Sequence, residues 1–124
     1  PGTSEHQTGL AVDIVTPEYQ VLDDGFAETP AAKWLAANSW KYGFILRYPK
    51  DKQEITNIIY EPWHFRYVGE EHAKAIYEGG YCLEEYLYGV LNQKRLESFV
   101  ISPSAPSEEA AEGQSEAETE EKEQ

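Results

Sequence analysis

The sequence predicts an α+β domain, a small antiparallel sheet flanked by helices and followed by a disordered acidic tail. Short runs rich in β-branched and aromatic residues, at 9–15, 44–48, 55–60 and 63–68, follow one another without a helix between each pair, which argues against repeating βαβ units. Other stretches carry helical spacing bounded by caps and glycines. The composition changes abruptly near residue 101.

Residues 9–15 read GLAVDIV, an apolar run that predicts a buried strand holding Asp13 on one face. Residues 17–28 form a loop around the turn signal Asp23, Asp24, Gly25. Thr29 then caps a helix with Pro30 in its first position, and Ala31, Trp34, Leu35, Asn38 and Tyr42 recur at helical spacing until Gly43 stops it. The Trp34 and Leu35 face is expected to pack on the sheet. Residues 44–48 predict a strand ended by Pro49, residues 50–54 a charged turn, and 55–60 and 63–68 two further strands. Residues 70–78 and 83–91 predict two short helices separated by Gly79 and Gly80, and no internal repeat is present.

Residues 102–124 contain no aromatic or branched aliphatic side chain, so ordering them would cost entropy that no apolar burial offsets. Their eight Glu and one Lys account for seven of the thirteen net negative charges, leaving −6 on residues 1–101. A solvated spacer is the ordinary reading of such a run; a docking segment for a basic partner or a cation is the other. The acidity and the absence of clustered Lys and Arg exclude a nucleic-acid partner, which needs a basic patch. With one cysteine, Cys82, neither an intrachain disulfide nor a Cys-based zinc cluster can form. No stretch approaches the length of a membrane span. The chain begins at Pro1 and enters dense motif almost at once, so it is expected to be part of a longer protein whose targeting segment lies elsewhere.

His6, Asp13 and His64 are residue types suited to a divalent metal: two imidazoles and one carboxylate make the three-ligand set that catalytic zinc uses, leaving a coordination position open. A bend after His6 can bring it and Asp13 to one cation, and neither lies in a helical HExxH arrangement. Glu61 stands three positions before His64 in EPWH, where Pro62 restrains the chain so that both side chains can enter one cleft. A carboxylate there can take the proton from an attacking water and return it to the leaving amine. Each residue also has an ordinary alternative: the histidines as satisfied polar groups, Asp13 as a turn acceptor, Glu61 as a solvated charge.

SEHQTGLAVD at residues 4–13, GFILRYP at 43–49 and YEPWHFRYVG at 60–69 occur in order, and together resemble the VanY-type D-alanyl-D-alanine carboxypeptidases, zinc peptidases of family M15. The likeness runs from Gly2 to about Leu87. The resemblance implies one zinc per chain on His6, Asp13 and His64, metal-bound water as nucleophile and Glu61 as general base. It implies hydrolysis of the terminal D-Ala-D-Ala bond of peptidoglycan stem peptides, at the cell envelope or outside the cell. Ser4 would lie where the family binds the substrate's terminal carboxylate, and Tyr48 where an aromatic lines the cleft. Arg47 is a candidate carboxylate clamp because its planar fork matches a carboxylate, with a surface ion pair as its alternative. Trp63 is a candidate substrate shelf, with a core position as its alternative. Family members also use an arginine and polar residues upstream of the SxH element, so residues 1–101 are expected to be the C-terminal part of the zinc domain and 102–124 the tail. Competing readings are an L,D-carboxypeptidase acting on tetrapeptide stems, a non-catalytic module that holds wall peptides, and a structural domain whose histidines complete a polar core.

Overall fold

The structure, a computed structural model, describes residues 2–99; the expected acidic tail at 102–124 lies outside the described residues. Three short strands, β1 (Ala11–Asp13), β2 (Phe44–Leu46) and β3 (His64–Tyr67), form an antiparallel sheet in the order β1-β3-β2. The central strand therefore belongs to the EPWHFRYVG segment, and its register sets Asp13 opposite His64, Val12 opposite Phe65 and Ala11 opposite Arg66. On the other side Ile45 faces Arg66 and Leu46 faces Phe65. Backbone bonds from Tyr67 N–H to the Leu10 carbonyl and from Ile14 N–H to the Trp63 carbonyl, each 2.8 Å, continue the first ladder beyond the assigned strands.

Helices flank this sheet as expected of an α+β domain. Helix α1 (Pro30–Asn38) is capped by Thr29, whose Oγ1 accepts from Ala32 N–H at 3.1 Å, with Pro30 in the first turn where its missing N–H costs nothing. Helix α2 (Gln53–Thr56) is short, and α3 (Glu70–Gly79) ends at Gly80 in the left-handed conformation. The chain then continues through α4 (Leu83–Glu85), a π-helical stretch (Tyr86–Leu91) and α5 (Asn92–Phe99). Two core clusters result. One joins Ile45 of the sheet to Ala73, Ile76, Leu83 and Tyr86; the other holds Phe26, Ala32 and Trp63, with Tyr19 against it.

Four expectations are corrected. Residues 55–60 are not a strand: Ile55 and Thr56 close α2, Asn57 turns the chain in the left-handed conformation (φ 57°), and the Thr56 hydroxyl bonds the Ile58 backbone, so the run cannot stay extended. Ile55, Ile58 and Ile59 are left exposed. β1 is an edge strand rather than a buried one, with Ala11 buried but Val12 and Asp13 exposed. Trp34 does not close onto the sheet; it is 52% exposed and lines, with Leu35, Val12, Phe44 and Phe65, an apolar groove of about 300 Å3. The last helical run extends to Phe99, well past residue 91.

Candidate metal centre

The site is built by one tight turn and one strand pair. Residues Glu5–Thr8 form a 3-10 turn capped by Ser4, whose Oγ accepts from His6 N–H at 3.3 Å. Gly9 closes it in the left-handed conformation (φ 74°), a position that suits glycine because it lacks a Cβ, and donates to the His6 carbonyl at 3.1 Å. This reversal feeds the chain into β1, so His6 and Asp13 approach each other although seven residues apart. Asp13 ends β1 directly across from His64, which starts β3.

The ligating atoms offered by His6, Asp13 and His64 lie within 4.8 Å of one another. His6 Nε2 is 3.1 Å from Asp13 Oδ1, and His64 Nδ1 is 3.5 Å from the same oxygen. The second nitrogen of each ring is also engaged: His6 Nδ1 with the Ala11 carbonyl at 3.3 Å, His64 Nε2 with Glu5 Oε1 at 3.0 Å. Two imidazoles whose outer nitrogens are tied down and whose inner nitrogens meet one carboxylate are a chemically apt set for a borderline-soft divalent cation. His64 is buried while His6 and Asp13 reach solvent, so the cluster is open on one side.

Glu61 joins this cluster, with Oε2 at 3.2 Å from His64 Nδ1. The EPWH turn fixes it: Glu61 N–H donates to the Tyr48 carbonyl and His64 N–H to the Glu61 carbonyl, both at 3.1 Å. Burial raises the Glu61 carboxyl above the usual carboxylate range; the positive charge of a protonated His64 opposes this, and the neighbouring Asp13 reinforces it. The Tyr48 ring sits 4.8 Å from the His64 ring, and burial pushes its hydroxyl up as well.

The remaining candidate residues are placed differently. Ser4 is an exposed turn cap. Trp63 is 8% exposed and packs with Phe26 and Ala32, which leaves little of its ring to a substrate. Arg47 is gripped by two acids, Nε to Glu5 Oε2 and Nη2 to Glu84 Oε1, each at 2.6 Å, a pairing that competes with any clamp on an external carboxylate. Sequence reasoning missed Glu5, whose side chain is 11% exposed and meets His64, Arg47 and Arg66. The available signal was Arg47 and Arg66 themselves, guanidiniums inside apolar strand runs that call for a carboxylate partner without identifying which one. His72 bonds the Tyr86 hydroxyl at 2.8 Å and Cys82 is buried at the start of α4; both lie outside the cluster. Among the described residues no helix is long and apolar enough to cross a membrane.

The family model for VanY, D-alanyl-D-alanine carboxypeptidase, matches residues 1–70. A D-alanyl-D-alanine carboxypeptidase of Enterococcus faecalis is 56% identical over 89 residues, covering 70% of this chain and 31% of that protein. Among solved structures, the LdcB LD-carboxypeptidase superposes with a TM-score of 0.67 at 52% identity, over 70% of this chain and 41% of that one. A variant of the vancomycin-resistance D,D-pentapeptidase VanY from the VanB-type cassette, in complex with Zn(II), superposes with a TM-score of 0.58 at 56% identity, over 70% of this chain and 46% of that one. The chain thus spans about a third of the length of its curated relative.

Proposed function

The chain belongs to the VanY family of D-alanyl-D-alanine carboxypeptidases, and from that premise we propose that it forms the metal-bearing part of a zinc carboxypeptidase that releases D-Ala from peptidoglycan stem peptides. The observation that carries this reading is the convergence of His6, Asp13 and His64 within 4.8 Å, with Glu61 against the same histidine. The zinc reading draws support from the relative that carries Zn(II). Residues 1–101 are the C-terminal part of that domain in this reading and 102–124 a solvated acidic spacer. The protein then works at the cell envelope or outside the cell, where its substrate is.

In this reading His6 Nε2, Asp13 and His64 Nδ1 hold the zinc. Zinc, when bound, supplies Lewis acidity at the scissile carbonyl and makes water a stronger acid. Glu61 takes the proton from the attacking water on its carboxylate and delivers it to the leaving amine of D-Ala. Its burial suits the task, since a carboxyl raised above its ordinary range is a better acceptor of the proton it must then pass on. Tyr48, beside His64, walls the cleft. Ser4 remains a candidate for the substrate carboxylate, while Arg47 is held by Glu5 and Glu84 and Trp63 packs against Phe26 and Ala32.

The test is release of D-Ala from a synthetic pentapeptide stem by the full chain and by Glu61→Gln. The variant should retain zinc and lose about 100- to 10,000-fold in rate, the range for a positioned general base. A Glu61→Gln protein as active as its parent removes the proposed base. A second reading, L,D-carboxypeptidase action on tetrapeptide stems, is favoured by the higher TM-score of the LdcB structure. It predicts faster release from the tetrapeptide than from the pentapeptide in the same assay.

A further inference from the structure

We infer that Glu5 is a positioning residue for the metal centre: it holds His64 with its proton on Nε2, so that Nδ1 presents a lone pair toward Asp13 and His6. The inference rests on the metal reading proposed above. It begins from the two nitrogens of a ring that is only 6% exposed. Nε2 lies 3.0 Å from Glu5 Oε1, while Nδ1 lies on the side of Asp13 and Glu61, at 3.5 and 3.2 Å. A ligating imidazole must be unprotonated on the nitrogen that meets the cation, and the partner of the other nitrogen sets the tautomer.

Glu5 is well placed to be that partner because its own orientation is fixed. Oε2 accepts from Arg47 Nε at 2.6 Å and lies 3.1 Å from Arg66 Nη1, which leaves Oε1 aimed at His64. The guanidinium of Arg47 does not need Glu5 for neutrality. Glu84 already grips it through two contacts, Nη2 to Oε1 at 2.6 Å and Nη1 to Oε2 at 3.0 Å. Glu84, Arg47, Glu5 and His64 therefore form one chain of charge-assisted contacts running from α4 to the metal centre, in which each member fixes the next. The turn that presents His6 as a ligand also presents Glu5, its neighbour, as the group that orients the other histidine.

Substitution by glutamine gives a sharp test, because its amide cannot satisfy the same partners in the same way. With the amide oxygen turned to the two arginines, the NH2 faces His64 Nε2, which can accept only if unprotonated; the proton must move to Nδ1. The experiment is 15N NMR of metal-free full chain at a pH well above the ordinary imidazole range, with zinc affinity measured by competition titration. We expect the wild-type His64 to be protonated on Nε2, E5Q to be protonated on Nδ1, and zinc affinity in E5Q to fall by about 10- to 100-fold. A residue that merely stabilised the fold would not move the tautomer.

A wild-type ring protonated on Nδ1 overturns the inference, and that measurement decides even if E5Q fails to fold. So does an E5Q ring that keeps its Nε2 proton, or a zinc affinity that changes by less than about twofold on a tenfold-or-more expectation. A wild type that keeps the Nε2 proton yet binds no zinc sinks the metal reading instead and leaves the hold of Glu5 on the tautomer standing.

Discussion

Glu5 and Glu61, two carboxyls on opposite sides of one imidazole, are tuned in opposite directions by their surroundings. Burial alone would raise Glu5, but hydrogen bonds from His64 and Arg47 and the charges of Arg47 and Arg66 overcome it and hold the group at about 2, below its ordinary 4.5. A carboxyl depressed in the folded state stabilises the fold fully above its unfolded value, and that contribution is lost as pH falls from 4.5 through 2. Replacing Glu5 with Gln should therefore flatten the acid side of the stability profile in that window, measured as the urea midpoint against pH. Parallel profiles for the two proteins would contradict the assignment. The residue types for a metal were legible in the sequence because imidazole and carboxylate chemistry is carried by the letters themselves. Glu5 was not, because its value lies in contacts with Arg47 and His64, 42 and 59 positions away, which only the folded chain creates.

At the scale of elements, the cap of α1 and the glycine stops were readable because they depend on neighbours in the chain: Thr29, Pro30 and Gly43 act within one turn of where they stand. Strand pairing was not readable in the same way. Residues 55–60 have the composition of a strand, yet the left-handed turn at Asn57 interrupts them and the run settles as a short helix and a loop. The register that sets Asp13 against His64 is likewise a property of the β1 and β3 pair. Gly43 shows what one position contributes to that sheet. It adopts φ 85°, and a Cβ there would stand 2.6 Å from Tyr67 Cε2, an aromatic carbon on the neighbouring strand. Gly43→Ala should cost about 1–3 kcal/mol from the left-handed conformation alone, with the clash adding to it. Chemical denaturation measures this, and a loss below about 0.5 kcal/mol would mean the turn relaxes without disturbing β2.

For the whole molecule, one core cluster takes in Ile45 of β2 and the other takes in Trp63 just before β3, and the candidate metal centre sits where that central strand begins. The charge is distributed unevenly over this architecture: residues 102–124 hold seven of the thirteen net negative charges and none of the residues that build the site. Removing them should leave zinc affinity unchanged within about twofold at physiological ionic strength, since none of the proposed ligands lies among them. A larger loss in the truncated protein would make the tail part of the site. At this scale the proposed role of the fold is to bring two imidazoles and one aspartate onto a single cation. Equilibrium dialysis of the full chain against zinc tests it most directly. One tightly bound ion per chain, lost in His64→Ala, is expected; clearly less than one ion per chain, or a His64→Ala protein that keeps its zinc, would mean that these side chains share no cation.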